Sequence, residues 1–88
     1  MIKRIEKFGA TWCGPCKVLG KTLETLSNSK EFDDIDIIEY DVDKYEDLTI
    51  KKNIRSVPVL IFYNENDEEV TRTVGAVTAN KITEIINN

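Results

Sequence analysis

The apolar residues Cys16, Leu19, Leu23 and Leu26 fall three, four and three positions apart, which places them on one side of a helix. This stripe predicts a helix from Cys13 to about Leu26. Ahead of it, Ile2 to Phe8 reads as a strand, although its apolar positions 2, 5 and 8 do not alternate. Ile35 to Val42, rich in Ile and Val, predicts a second strand. Asp43, with Glu46 three residues on, is placed to cap a short helix reaching about Lys52. Val57 to Tyr63 is a continuous apolar run, the pattern of an interior strand covered on both faces. Asn64-Glu65-Asn66-Asp67 is a turn into a partner strand, Glu69 to Val74. Thr78 is placed to cap a last helix, with Val77 and Ile82 as a hydrophobic staple. The order is β-α-β-α-β-β-α. A chain of this α/β class should have a right-handed parallel first crossover and a terminal hairpin.

Candidate chemistry gathers where the first strand gives way to the first helix, in Trp12-Cys13-Gly14-Pro15-Cys16. A cysteine at a helix N-terminus feels the positive end of the macrodipole, which favours thiolate over thiol. Thiolate is the form that attacks disulfides. Cys16 belongs to the apolar stripe and Cys13 to the helix start, so the spacing predicts an exposed attacker and a shielded resolving partner. Two thiols so spaced can close a ring and carry two electrons.

Composition narrows the function classes. The 88 residues fit one domain, 1–88, with a modest core. A net charge of −4 excludes an electrostatic nucleic-acid binder. Charges interrupt the apolar residues from Met1 to Lys7, and no run is long enough for a signal peptide or a membrane span. The expected setting is therefore a reducing cytoplasm without membrane attachment. There, a C-x-x-C pair is expected to react or to bind metal rather than to form a structural disulfide. Zinc wants four ligands, and the chain has no histidine and no third cysteine, so only a site bridging two copies would serve.

The element order, with Trp-Cys-Gly-Pro-Cys after the first strand, resembles the thioredoxin family. Lys17 directly follows the second cysteine, Phe8 precedes the motif at the family distance, Val57-Pro58 opens the third strand, and Val74-Gly75-Ala76 follows on the fourth. The resemblance spans the chain, without the extra N-terminal strand and helix of longer members, so it looks like a short, glutaredoxin-sized member. It implies a minimal thioredoxin fold, a four-stranded mixed sheet flanked by three helices. It also implies a cis peptide at Val57-Pro58. By the same resemblance, Cys13 is the nucleophile and Cys16 the resolving thiol. Trp12, Gly14, Pro15, Val57, Pro58, Val74 and Gly75 then line the substrate groove, where the backbone of Val57 takes an added strand. The implied partners are disulfide-containing proteins and a thioredoxin-reductase-like enzyme. The protein is expected to act as a monomer with no metal and no cofactor.

The chain departs from the family beneath the thiols. Six residues before the first cysteine, where the family places a buried Asp, stands Lys7. On the next strand, where the family commonly has a Lys facing that Asp, stands Glu39. One reading is an exchanged, buried proton-handling pair, since a buried charge needs a partner. The other is that Lys7 snorkels to solvent and Glu39 lies on a wet face. Lys21 stands where the family kinks the first helix with proline, beside Gly20.

Two other functions compete with protein-disulfide reduction. A glutathione-dependent glutaredoxin fits the size, but Gly14-Pro15 stands where glutaredoxins carry Pro-Tyr, and Ala76 where they have a second glycine. A docking module would use the groove alone, and it needs neither Cys13 nor Cys16.

Overall fold

The computed structural model describes residues 1–88. Four strands, β1 (Ile2–Gly9), β2 (Asp36–Asp41), β3 (Val59–Asn64) and β4 (Glu69–Val74), form one mixed sheet in the order β2-β1-β3-β4. β1 runs parallel to β2 and antiparallel to β3, and β3 and β4 make the hairpin. Three helices, α1 (Gly14–Leu26), α2 (Glu46–Lys51) and α3 (Ala79–Ile86), complete the order read from the sequence. A single 3-10 turn, Lys30–Phe32, lies between α1 and β2, where the sequence pattern gave no element.

Two apolar clusters, one on each face of the sheet, explain which residues form which element. On one face Ile2, Ile5, Leu60 and Phe62 meet Leu19 and Leu23 of α1 and Ile82 and Ile86 of α3. On the other, Phe8, Val59, Ile61 and Tyr63 meet Tyr40, Val42 and Leu48. β3 is interior, so Val59 to Tyr63 are all buried, as the unbroken apolar run requires. The spacing 2, 5, 8 in β1 also has a cause. The register with β3 shifts between Ile2 and Arg4. That irregularity turns Ile2 onto the face of Ile5, three residues away, where regular alternation would part them. Thr78 caps α3, its hydroxyl accepting from the Lys81 N–H at 3.2 Å, and Val77 packs on the cluster that holds Ile82.

The cap expected for α2 is not made. The residue ahead of α2 is Tyr45, and no side chain caps it. Asp43 instead donates its backbone N–H to Asp41 Oδ1 and turns its carboxylate to Trp12. An aspartate offered both an indole N–H and a local turn takes those partners in place of the helix end.

The face beneath α2 also buries a charge, Glu6. The Tyr63 hydroxyl donates to Glu6 Oε1 at 2.9 Å, and Lys52 Nζ donates to that hydroxyl at 2.7 Å. Arg4 adds an ion pair to Glu6 at 3.3 Å, pairs with Asp67, and lies over the Tyr63 ring. Burial holds the Tyr63 phenol above its ordinary 10.0. The hydrogen bond to Tyr63 holds the Lys52 ammonium above its ordinary 10.5. Both groups keep their protons more tightly folded than unfolded. Their contribution is complete below about pH 10 and is lost as pH rises through the raised values. Thermal melts should therefore fall steeply above about pH 10. Tyr63→Phe should flatten that limb and cost about 1–3 kcal/mol at neutral pH, because Glu6 loses a buried donor. An alkaline limb unchanged in Tyr63→Phe would show that another group governs it.

Candidate active site

β1 ends at Gly9 and the chain turns through Thr11 and Trp12 into α1, with the Cys13 N–H donating to Ala10 O at 3.2 Å. Cys13 is the N-cap of α1, extended at φ −94° and ψ 113°. Its Sγ accepts the backbone N–H of Cys16 at 3.1 Å. A sulfur thus does what a Ser or Asp oxygen does at most caps, satisfying an N–H that the helix cannot. Pro15 costs nothing here, since the first turn leaves its N–H positions without intrahelical partners. No acidic residue occupies the first turn, so no carboxylate of the helix itself opposes its positive end at the sulfurs. Cys13 and Cys16 are joined as a disulfide, their Cα atoms 5.2 Å apart.

One expectation is corrected. Cys13 is not exposed: it is 5% accessible and Cys16 3%. Ala10, Val42 and Val57 pack around the pair. The exposed groups are its neighbours. Trp12 is 69% accessible, and Gly14, Pro15 and Val74 are also open. Trp12 is held by its Nε1, which donates to Asp43 Oδ2 at 3.0 Å. Asp43 is a site residue that the sequence reading missed, having assigned it to the cap of α2.

The segments expected to flank the dithiol come together. Val57-Pro58 is cis and leads into β3, with Pro58 fully buried. The Val57 carbonyl oxygen lies 4.0 Å from Cys13 Sγ. Gly75 donates its N–H to Pro58 O at 2.8 Å, which ties the end of β4 to the same edge of the site. Gly75 has φ +90°, a conformation open to glycine and strained for other residues.

Beneath the thiols Lys7 and Glu39 are register partners on β1 and β2, and Lys7 Nζ donates to Glu39 Oε2 at 2.8 Å. They are paired but unequal: the Lys7 side chain is 8% accessible and that of Glu39 70%. The pair is therefore not jointly buried, and Lys7 does not reach out to solvent. The cause is sheet order. β2 is an edge strand, so a residue on it opens to water, whereas β1 is interior. A cleft of about 420 Å³ runs along this side, lined among others by Lys7, Gly9, Cys16, Glu39, Tyr40 and Lys44.

A cysteine pair closed as a disulfide at the start of α1, with a strand-opening proline beside it, is the arrangement of a thiol–disulfide oxidoreductase of the α/β class. Known proteins place it more narrowly. The chain matches the thioredoxin family over residues 3–88. It is 42% identical over 72 residues to Thioredoxin-2 of Saccharomyces cerevisiae, covering 82% of this chain and 66% of the yeast protein. It is 38% identical over 80 residues to Thioredoxin C-2 of Corynebacterium nephridii, covering 91% and 72% of the two chains. The reduced thioredoxin pre-protein of Schistosoma mansoni superposes with a TM-score of 0.83 at 36% identity, covering 96% of this chain and 75% of the other. The chain belongs to the thioredoxin family. It spans about two thirds of the length of the yeast relative.

Proposed function

We propose that this chain, working as one domain over 1–88, reduces disulfides in protein substrates through Cys13 and Cys16. The observation that carries the reading is the cap of α1, in which Cys13 Sγ accepts the Cys16 N–H at 3.1 Å. In the reduced protein that N–H and the helix end favour a Cys13 thiolate. The thiolate attacks one sulfur of the substrate disulfide, and the other sulfur leaves as a thiolate. Cys16 then attacks Cys13 Sγ, the second substrate sulfur leaves, and the Cys13–Cys16 bond closes. Two electrons pass to the substrate, and a thioredoxin-reductase-like enzyme returns them. Trp12, Gly14, Pro15, Val57, Val74 and Gly75 form the docking rim around the buried Pro58, with the Val57 backbone pairing to an extended substrate segment. Lys7 and Glu39 handle charge beneath the thiols: the ammonium favours thiolate, and Glu39, at the wet mouth of the cleft, accepts the Cys16 proton. A reducing cytoplasm suits this direction of flow.

Gly14-Pro15 and Ala76, together with the thioredoxin relatives, support this reading over a glutathione-dependent one. Insulin reduction separates them. Turbidity should develop with NADPH and thioredoxin reductase, and only slowly with glutathione and glutathione reductase. Faster turnover with glutathione would overturn the assignment, and no turnover with either reductant would favour a docking module.

A further inference from the structure

Gly20 lies in the interior of α1, where glycine is destabilising relative to alanine. A Cβ there would stand 3.1 Å from Lys7 Nζ, and no other group packed against the helix comes within 4 Å. The space that the glycine leaves is occupied by one atom, the lysine nitrogen. A second glycine, Gly9 of β1, also lies against that side chain. A Cβ at Gly9 would stand 3.8 Å from Lys7 Cε and 3.3 Å from Cys16 Sγ. Lys7 therefore lies against two glycines, one on β1 and one on α1. Its ammonium is held at the outer end by Glu39 at 2.8 Å.

We propose that Gly20 is a positioning residue for the dithiol reaction: its missing side chain is the seat that holds the Lys7 ammonium against α1, in the cleft that Cys16 also lines. This rests on the oxidoreductase reading and on the charge role given there to Lys7. A cation fixed in this cleft favours thiolate, the attacking form of Cys13 and then of Cys16. An alanine there obliges the ammonium to give by a few tenths of an ångström, which disturbs its placement between α1 and Glu39. The other charged or titratable groups facing this cleft are Lys17 on α1, Tyr40 and Asp41 on β2, and Lys44 and Tyr45 beyond it. The variants below leave them in place.

The test is a thiol titration by ultraviolet thiolate absorbance in reduced wild type, Gly20→Ala, Lys7→Met and the double variant, with melting temperatures alongside. Gly20→Ala should move the Cys13 titration to higher pH. At a fixed pH below the midpoint it should lower the thiolate fraction about two- to threefold, in the same direction as Lys7→Met. Once Lys7 is methionine, Gly20→Ala should leave the titration unmoved. Glu39→Gln, which leaves the lysine seated without its counter-charge, should shift the titration the other way. A titration moved by Lys7→Met but not by Gly20→Ala would remove Gly20 from the argument and leave Lys7 in it. A titration moved by neither would make Lys7–Glu39 a remote ion pair and sink both roles. A change in melting temperature without a change in titration would mark the glycine as merely structural. Insulin reduction by wild type tests the oxidoreductase reading separately, so its failure is not confused with failure here.

Discussion

Cys16→Ser should accumulate a covalent complex with a disulfide-containing protein, and Cys13→Ser should accumulate none. The two sulfurs share one cap, yet their roles divide by position. Cys13 stands at the end of α1, beside Trp12 and the Val57 carbonyl, where a substrate segment can lie. Cys16 faces back into the helix stripe. Attack through Cys13 leaves Cys16 one helical turn from the mixed disulfide, so resolution is intramolecular. Well-oriented intramolecular attack reaches effective molarities of about 10⁵–10⁸ M. Removing Cys16 abolishes that advantage, and the mixed disulfide then waits for an external thiol. With insulin as substrate, a non-reducing gel should show a band at the summed mass in Cys16→Ser that dithiothreitol removes. Turnover should fall to background in both variants. A covalent band in Cys13→Ser alone would invert the two roles.

What the sequence revealed of this site depends on whether local pattern or assembly decides each feature. The α1 stripe, the Val57–Tyr63 run and the Thr78 cap are local, and the structure has them within one or two residues. The pairing of Lys7 with Glu39 followed from the family resemblance, as one of two readings. Their unequal exposure did not, because it depends on β2 lying at the sheet edge. The burial of Cys13 failed for a similar reason. Spacing tells which side of a helix a residue occupies, but Ala10, Val42 and Val57, which cover it, arrive from elsewhere in the chain. Asp43 was misread because it can serve either a helix end or an indole, and Trp12 reaches it only after folding. The turn at Lys30–Phe32 is too short for any periodicity, although Phe32 is buried in the main core. Gly20, met in the sequence only as the neighbour of Lys21, faces the Lys7 ammonium of β1, a contact that local pattern does not show.

Phe62→Ala should be among the most damaging single changes to stability. Phe62 is fully buried on interior β3, in the cluster shared by α1 and α3. Its loss should cost about 3–5 kcal/mol, the removed transfer energy plus a cavity that the sheet cannot collapse. At 0.05–0.15 kcal/mol per residue, a domain of this size has about 4–13 kcal/mol in all. The change therefore takes a large share of the total and should lower Tm by at least about 12 °C. Val70→Ser, at an exposed position on edge strand β4, should stay within about 0.5 kcal/mol of wild type. Urea unfolding measures both, and an unchanged m-value would show that Phe62→Ala acts on stability rather than on the compactness of either state. The consequence for function follows from the seating of α1. Leu19 and Leu23 hold the helix on the same cluster, while Cys13 and Cys16 sit at its other end. Below its melting point Phe62→Ala should keep near-normal insulin reduction, with activity tracking the folded fraction as temperature rises. Activity lost while the protein remains folded would show that the cavity reaches the dithiol, and that the core sets the geometry of the sulfurs as well as supporting the helix.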